Sequence, residues 1–432
     1  MPRPSLRTRR GDRAQPEAER VSRTRQTLLW MGGLSLVTLG LGILRELTIA
    51  SELRASGDAD LFFRGLVVIG TTRGFTTALF RARWIPVPMA IAARRLLAAE
   101  LLTCGLVTAL GLITLTLLAG VTALAEPTLW AFGLAVPLAV FGSAMRALAE
   151  RAGHERRGFL LEWALPLGAT AGAILVPGTA LGPTLGILVG LVIGALALLP
   201  TLAAGDTTQE TGHIVTGGPA LTRVLLIDAL VYANLGLLDA GLSHLFAAGG
   251  FALLNYAYLF VNTVLMAPTA AATVVGLRLS AAGDPATHAT LRRWAVVAGL
   301  ACGAIVAGVG LAMMWRPIAD QVDATVGWAL AGPAAALVLW SAPFAGLRLA
   351  NTIGRQFVLA TAPARVIGWD VGGLAGRALI LGIGAGLIGL PASPIGLAFA
   401  ELVQLGAWWA APKNMTKRAG AGAGAESTSA GE

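Results

Sequence analysis

Long apolar runs separated by short polar connections make up most of the chain. Each run holds about 20 residues, the length at which an α-helix crosses the hydrocarbon core of a bilayer. The runs are continuous and do not alternate between polar and apolar positions, so they predict helices and not the strands of a membrane β-barrel. The predicted spans are residues 27–49, 61–80, 96–120, 128–149, 159–178, 181–201, 221–246, 249–277, 293–315, 325–350, 363–388 and 391–411.

The polar connections indicate how the predicted spans are grouped. Residues 202–220 form the longest connection and divide the twelve spans into six and six. We therefore predict an all-α polytopic membrane protein, with one six-helix bundle on each side of this linker. The predicted parts are a basic cytoplasmic tail at 1–26, an N-terminal bundle at 27–201, a cytoplasmic linker at 202–220, a C-terminal bundle at 221–411 and a disordered cytoplasmic tail at 412–432.

The composition excludes the soluble classes of protein. The chain has 432 residues, of which 56% are hydrophobic and 13% are charged, and its mean hydropathy is +0.73. Soluble domains carry about 25% charged residues. Soluble enzymes, DNA-binding domains and disordered chains are excluded, because this chain has too few charges to cover a water-exposed surface.

The sequence offers no pattern for catalysis or for metal binding. It contains no G-x-x-x-x-G-K phosphate-binding loop, and its four histidines and two cysteines show no metal-ligand spacing. The run GAGLIG at 384–389 matches a dinucleotide-binding pattern, but it lies inside an apolar span, where small residues pack helices together. We expect no enzyme activity, no cofactor, no metal and no ATP-driven transport on this chain.

The net charge of +9 is explained by membrane topology. When the N-terminus is placed in the cytoplasm, 26 of the 32 basic residues fall in cytoplasmic segments or at the cytoplasmic ends of the predicted spans, and only Arg54 and Arg316 fall in outside loops. This distribution follows the positive-inside rule and predicts that both termini are cytoplasmic. It gives no reason to expect a nucleic-acid partner.

The remaining four basic residues lie inside predicted spans, and they are Arg45, Arg64, Arg73 and Arg377. An arginine at mid-membrane costs at least about 2.5–3.5 kcal/mol, so it usually lines a cavity or pairs with an acid. On the first span Arg45 shares a polar face with Thr38.

We interpret Arg45, Arg64 and Arg73, together with Asp60, as candidate substrate-binding residues. Guanidinium groups bind oxyanions through paired hydrogen bonds, so a phosphate or a pyrophosphate would suit such a cluster. The alternative is that these charges pair internally, as Arg64 and Asp60 would on one face of the second span, and only hold helices together.

Carboxylates in the second half indicate a different chemistry. Asp228 and Asp239 are eleven residues apart and share a helix face, as expected of an ion-coupling site for a proton or sodium. Asp370 and Arg377 share a face of the eleventh span and are predicted to form a structural ion pair. Snorkelling to the interface explains three glutamates near predicted span ends, which are Glu46, Glu162 and Glu401.

Residues 44–63, LRELTIASELRASGDADLFF, resemble the lipid II flippase (MurJ/MviN) family of the MOP flippase superfamily. The family pattern there is an Arg-Asp pair on the first helix, a Gly-rich external loop, and Asp-Ala-Phe-Phe at the start of the second helix. Arg45-Glu46 and Asp60 take the matching places. Arg73 falls where the family carries an arginine on its second helix.

Two further segments resemble the same family. Residues 234–257, NLGLLDAGLSHLFAAGGFALLNYA, are similar to its seventh-to-eighth-helix segment, with Asp239 in place of the family's acid. Residues 362–365, APAR, are similar to the T-P-x-R that opens the eleventh helix. The order and spacing of the three segments agree with the predicted spans.

The resemblance implies an architecture and a function. Two six-helix bundles related by a pseudo-twofold axis would surround a cavity that opens to each side of the membrane in turn. The implied function is a flippase that moves an undecaprenyl-pyrophosphate-linked glycan, lipid II or a related envelope precursor, across the bacterial cytoplasmic (inner) membrane. The implied partners are this lipid-linked glycan and membrane lipids, with envelope-synthesis enzymes as a further candidate.

The chain departs from the family at several places, which keeps two alternatives open. The family's sodium site pairs the seventh-helix acid with polar residues of the eleventh helix, where this chain has Leu374 and Ala378. The arginine that follows Asn-Tyr-Ala in the family is Leu259 here. The alternatives are a MATE-like exporter of a small molecule or cation that uses the acids, and a transport-dead scaffold for envelope synthesis.

Overall fold

The structure is a computed structural model that describes residues 17–84, 92–120, 125–152, 154–203, 236–280, 285–361 and 363–409. Within these ranges every regular element is a helix, which confirms the predicted all-α fold class. Outside the described residues lie Asp228 with the rest of 221–235, most of the predicted linker, Ala362, residues 1–16 of the predicted N-terminal tail and the whole predicted C-terminal tail at 412–432.

The α-helices are numbered here in chain order. They are α1 Glu17–Leu53, α2 Gly57–Trp84, α3 Ala93–Ala99, α4 Leu101–Ala119, α5 Pro127–Arg151, α6 Glu155–Leu175, α7 Leu181–Leu198, α8 Gly250–Ser280, α9 Pro285–Met314, α10 Arg316–Val326, α11 Ala331–Thr361, α12 Pro363–Ile388 and α13 Ala392–Trp409. Residues 236–241 are also helical, and short 3₁₀ turns cover Leu199–Ala203 and Ser243–Leu245.

The helices pack mainly within two sets, one from each half of the chain. In the N-terminal half, α6 packs on α7, α5 packs on α2 and α7, and α1 packs on α6. In the C-terminal half, α9 and α8 pack on α11, and α12 packs on α13. Below, the N-terminal half means residues 17–203 and the C-terminal half means residues 236–409.

The helices are built to cross a membrane. By length and composition, seven described helices can span a bilayer, and these are α4, α5, α6, α7, α9, α11 and α12. Their outward faces are apolar, as shown by Leu102, Leu175 and Leu387, which expose 77%, 79% and 79% of their surface. A face of this kind is stable only against lipid or another apolar surface. α1 and α2 are long enough as well, but charged residues interrupt them.

Two predicted spans begin differently in the structure. The span predicted at 96–120 is divided at Glu100, whose carboxylate accepts hydrogen bonds from Arg83 Nη1 and Thr103 Oγ1, both at 2.6 Å. The span predicted at 325–350 begins only at Ala331, because a separate helix, α10, ends at Gly327 in a left-handed conformation with φ of 75°.

The apolar pattern did not predict α10. This helix has 11 residues and is therefore about 16 Å long, too short to cross a bilayer. Ile318, Val322 and Val326 follow one another at intervals of four residues and form its apolar face. The hydropathy of the segment is too low to mark a span, although its periodicity is that of a helix lying against the bundle.

Glycines bring α6 and α7 into backbone contact. A Cβ atom added at Gly186 would lie 1.9 Å from the carbonyl oxygen of Gly168, and one added at Gly172 would lie 2.1 Å from that of Gly182. Such a close approach is typical of small-residue helix interfaces in membranes. In the run 384–389, Gly384 likewise packs on Ala392 across the α12–α13 turn, as expected from the sequence.

We expect Gly186→Ala to destabilise the N-terminal half, because the added methyl group collides with backbone and forces α6 and α7 apart. Overpacking of this kind lowers the free energy of unfolding by about 1–3 kcal/mol. Gly308→Ala is the matched control, since Gly308 lies on a helix and a Cβ atom there would meet nothing within 4 Å. Thermal unfolding in detergent measures both variants. Equal stability of the two variants would contradict backbone contact between α6 and α7.

Candidate functional site

A network of three arginines and two glutamates lies where α2, α5 and α6 meet. Glu162 of α6 accepts hydrogen bonds through the same carboxylate oxygen from Arg73 of α2, at 2.9 Å, and from Arg146 of α5. Arg146 Nε continues the network to Glu150 Oε1 at 3.0 Å. Arg81 of α2 pairs with both oxygens of Glu150. We call these five residues the arginine–glutamate network.

The network is only partly buried. The side chains of Arg73, Arg146 and Glu162 keep 16%, 17% and 24% of their surface exposed. Three arginines against two glutamates leave the network with one surplus positive charge. Arg73 lies 13 residues after Asp60 on α2, or about 20 Å along the helix axis, so the Arg73–Glu162 end of the network sits well inside the span.

The local fold explains why these residues meet. α6 begins at Glu155 and Glu162 is therefore two turns inside the helix, deeper than the predicted span end at residue 159 indicated. The glycine contacts described above hold α6 against α7. Next to Glu162, Trp163 Nε1 donates to Thr38 Oγ1 of α1 at 2.9 Å. One turn of α6 thus contacts α1 and α2 together.

Arg45 has a partner of its own. Its Nε lies 3.1 Å from Glu46 Oε1, and the two side chains expose 21% and 10% of their surface. Arg45 is seven residues after Thr38, which places it about 10 Å further along α1. An oxyanion at Arg45 would compete with Glu46 for this guanidinium, and the role of Arg45 in substrate binding stays a prediction.

Arg64 contacts the C-terminal half. Its Nε donates to Ser243 Oγ at 2.9 Å, and Ser243 lies in the 3₁₀ turn that precedes α8. Within the described ranges the hydrogen-bond partner of Arg64 is a hydroxyl group, so no direct ion pair neutralises this guanidinium. Asp60 accepts hydrogen bonds from backbone N–H groups instead of forming a direct ion pair with Arg64, although the two charges remain close enough to attract each other.

Asp60 caps the N-terminus of α8. Its two carboxylate oxygens accept hydrogen bonds from the backbone N–H groups of Gly249, at 2.8 Å, and Ala252, at 2.7 Å. These donors lack partners within their own helix, and the helix dipole favours a negative charge at this end. Asp60 is 5% exposed. The structure thus places this predicted site residue at a contact between the two halves.

Backbone atoms complete this contact between the start of α2 and the start of α8, and we call the whole contact the joint. Gly249 has φ of +82°, and a Cβ atom there would lie 2.1 Å from the Ala55 carbonyl oxygen, so only glycine fits. Tyr256 OH donates to the carbonyl oxygen of Arg54, at 2.9 Å, and Trp328 Nε1 donates to that of Ala50, at 2.8 Å. The joint therefore holds the turn between α1 and α2 against the start of α8 and the start of α11.

A second charged cluster is buried in the C-terminal half. Arg377 Nη2 of α12 donates to Asp239 Oδ2 at 2.5 Å, and Ser393 Oγ of α13 donates to Asp239 Oδ1 at 2.7 Å. Tyr258 OH of α8 lies 2.9 Å from Ser393 Oγ. Sequence analysis did not indicate that Asp239 and Arg377 meet. Asp370 is buried as well, and its pairing with Arg377 stays a prediction.

Sequence analysis missed the roles of two glutamates that it assigned to snorkelling. Glu162 connects Arg73 with Arg146. Glu401, 1% exposed, accepts hydrogen bonds from Arg348 Nη1 at 2.6 Å and Asn351 Nδ2 at 2.7 Å. A carboxylate within an apolar run that also contains unexplained arginines was the available signal.

The chemistry of these groups is electrostatic. The described part of the chain contains no group of three or more His, Cys, Asp or Glu side chains that could hold a metal ion. The partly exposed guanidinium groups of the N-terminal half can bind an oxyanion, whereas the closed cluster around Asp239 offers no open carboxylate oxygen.

Comparison with known proteins finds a similar fold but no similar sequence. No family model and no curated protein matches the sequence. The solved structure titled "Lipid II flippase MurJ, inward closed conformation" matches with a TM-score of 0.70 and 11% identity over 88% of this chain and 86% of that chain. An inward-facing multidrug-resistance MATE transporter of the MOP superfamily matches with a TM-score of 0.59 and 13% identity over 86% and 93%. At such identities the similarity shows the fold, which is the multi-pass helical fold of these two solved structures, with two pseudo-symmetric helix bundles.

Proposed function

We propose that the protein is a flippase for a lipid whose head group carries a pyrophosphate and a glycan, lipid II or a related envelope precursor. It acts in the bacterial cytoplasmic membrane, with both termini in the cytoplasm. The head group enters between the two halves, while the polyprenyl tail stays in the bilayer. The halves then rock about the bound head group and expose it on the other side.

The arginine–glutamate network is the observation that carries this proposal. The network as a whole carries one surplus positive charge, and its Arg73–Glu162 end lies at membrane depth on side chains that are partly exposed. Arg64 adds a second positive charge without a direct ion pair among the described residues. A diphosphate would bind such guanidinium groups through charge-assisted hydrogen bonds. An exporter of cations would need the opposite surplus.

The fold comparison supports the same conclusion. The structure of the lipid II flippase has a higher TM-score than that of the MATE transporter, at similar coverage of this chain. The joint supports alternating access. It lies at the end of α1 and α2 that the arginine distribution places outside, so it would close that side while the head group enters from the cytoplasm.

We expect Arg73→Ala and Arg45→Ala to lower the rate of flipping by at least about tenfold, because each removes a charge-assisted contact worth about 1.5–3 kcal/mol. The measurement is transport of a labelled undecaprenyl-pyrophosphate glycan in proteoliposomes, after equal reconstitution has been verified. Arg83→Ala is the matched control on α2, since Arg83 pairs with Glu100 at the cytoplasmic end, and its rate should change by less than about twofold.

Other outcomes would favour the other functions. Full activity of the Arg45→Ala and Arg73→Ala variants would contradict pyrophosphate binding by these residues. Binding of an organic cation by the protein, unaffected by either substitution, would favour the MATE-like exporter. Complementation of an envelope defect by a variant that lacks every intramembrane charge would favour the scaffold.

Glu162→Gln should raise the affinity for a short-chain prenyl pyrophosphate by about tenfold. The amide oxygen still accepts hydrogen bonds from Arg73 and Arg146, but the surplus of the network rises from one positive charge to two. Isothermal titration in detergent measures this affinity. Glu401→Gln is the control, because Glu401 belongs to the C-terminal half and should leave binding unchanged. Weaker pyrophosphate binding by Glu162→Gln would show that the carboxylate does not compete with the substrate.

Asp60→Asn should shift the protein toward its outward-open state, because the amide cannot accept both backbone hydrogen bonds. Loss of a helix cap costs about 1–2 kcal/mol, which corresponds to a change of roughly fivefold to thirtyfold in the conformational equilibrium. Val67 of α2 faces the C-terminal half, because a Cβ atom added at Gly236 would lie 3.3 Å from its Cγ1. A Val67→Cys reporter in a background lacking Cys104 and Cys302 should then react faster with an impermeant thiol reagent added outside. Asp58→Asn, on an exposed residue of the same turn, is the control. Equal labelling rates in both variants would contradict the role of the joint as a gate.

A further inference from the structure

The cluster around Asp239 is a closed set of hydrogen bonds. Ser393 has one hydroxyl proton and gives it to Asp239, so the hydroxyl of Tyr258 must donate to Ser393. Arg377 occupies the other oxygen of Asp239. Both carboxylate oxygens are therefore engaged, and the surrounding helices bury the set almost completely, with Asp239 4%, Arg377 0% and Ser393 0% exposed.

The structure makes room for the arginine side chain. A Cβ atom added at Gly396 of α13 would lie 3.1 Å from Cγ of Arg377 and 3.5 Å from its carbonyl oxygen. A larger residue at this position would press on the stem of the arginine. The guanidinium thus reaches Asp239 along a groove that the absence of a side chain at Gly396 leaves open.

The sodium ion implied by the family resemblance does not fit this site. Hard cations need several oxygen ligands, yet the helix positions where the family has polar ligands are Leu374 and Ala378 here. The guanidinium of Arg377 already occupies one oxygen of Asp239. A sodium ion at Asp239 would have to displace this guanidinium or lie directly against it, and two adjacent cations in apolar surroundings are strongly disfavoured.

We infer that Arg377 is a tethered cation that permanently takes the place of an exchangeable ion at Asp239. The acid is held neutralised by the chain itself, so the C-terminal half keeps one structure whether or not sodium is present. The statement about ion binding is independent of the substrate. Its consequence, a transport cycle that needs no sodium at Asp239, rests on the proposed function.

Thermal unfolding in detergent, compared in sodium chloride and in choline chloride at equal ionic strength, tests this inference. The unmodified protein should unfold at the same temperature in both salts. Arg377→Met removes the charge, keeps an unbranched apolar stem in place of the arginine's, and leaves Asp239 without its cation. Sodium should then raise the unfolding temperature of this variant by about 2–5 °C, because an ion that binds only the folded state stabilises it.

The double variant Asp239→Asn/Arg377→Met is the matched control, and its unfolding temperature should be the same in both salts. Arg377→Lys keeps a positive charge on the side chain, so its unfolding temperature should also be the same in both salts. If Arg377→Met does not fold, the inference is still tested by the unfolding temperatures of the unmodified protein and the double variant in the two salts. Stabilisation of the unmodified protein by sodium, or of the double variant to the same degree, would overturn the inference. These unfolding measurements use no substrate lipid, so their result holds even if the flipping assay shows no transport.

Discussion

A charge inside an apolar membrane must be balanced, and this requirement governs where the helices of this protein meet. Arg73, Arg146 and Glu162 come from three different helices, and the ion pairs among them fix how α2, α5 and α6 face one another. Arg377 and Asp239 do the same for α12 and the helical residues before α8. Lipid offers no hydrophobic force between helices, so these pairs and the glycine contacts determine the packing.

The two halves meet the same requirement in opposite ways. In the C-terminal half, Asp239 and Arg377 form a direct ion pair that is closed off from the surroundings. In the N-terminal half the charges are shared and partly exposed. A closed cluster is suited to stability, whereas a partly exposed cluster is suited to exchanging one partner for another. A diphosphate that enters the N-terminal half competes with Glu162 for guanidinium groups that are already oriented.

The helices could be predicted from the sequence, and so could the charged residues that are energetically costly inside apolar spans, because both depend on local pattern. Arg45, Arg64 and Arg73 stood out as charges in apolar runs. Their partners could not be predicted, since Glu162 is 89 residues from Arg73 and Arg377 is 138 residues from Asp239. The partner of Asp60 consists of backbone N–H groups, which leave no signature in the residue types. α10 escaped prediction because a short helix lying against a bundle has little net hydropathy.

The acceptors of the joint on the α1–α2 side are mainly main-chain carbonyl groups, those of Ala50 and Arg54, and the donors that bind Asp60 are main-chain amides. A peptide group keeps its hydrogen-bonding capacity whatever side chain it carries. The other residues around the joint can therefore change over evolutionary time with little effect on the contact, provided that Asp60 and Gly249 remain together with the donor side chains of Tyr256 and Trp328. A fold assembled in this way tolerates extensive sequence divergence, in line with the 11% identity that separates this chain from a structure of the same fold.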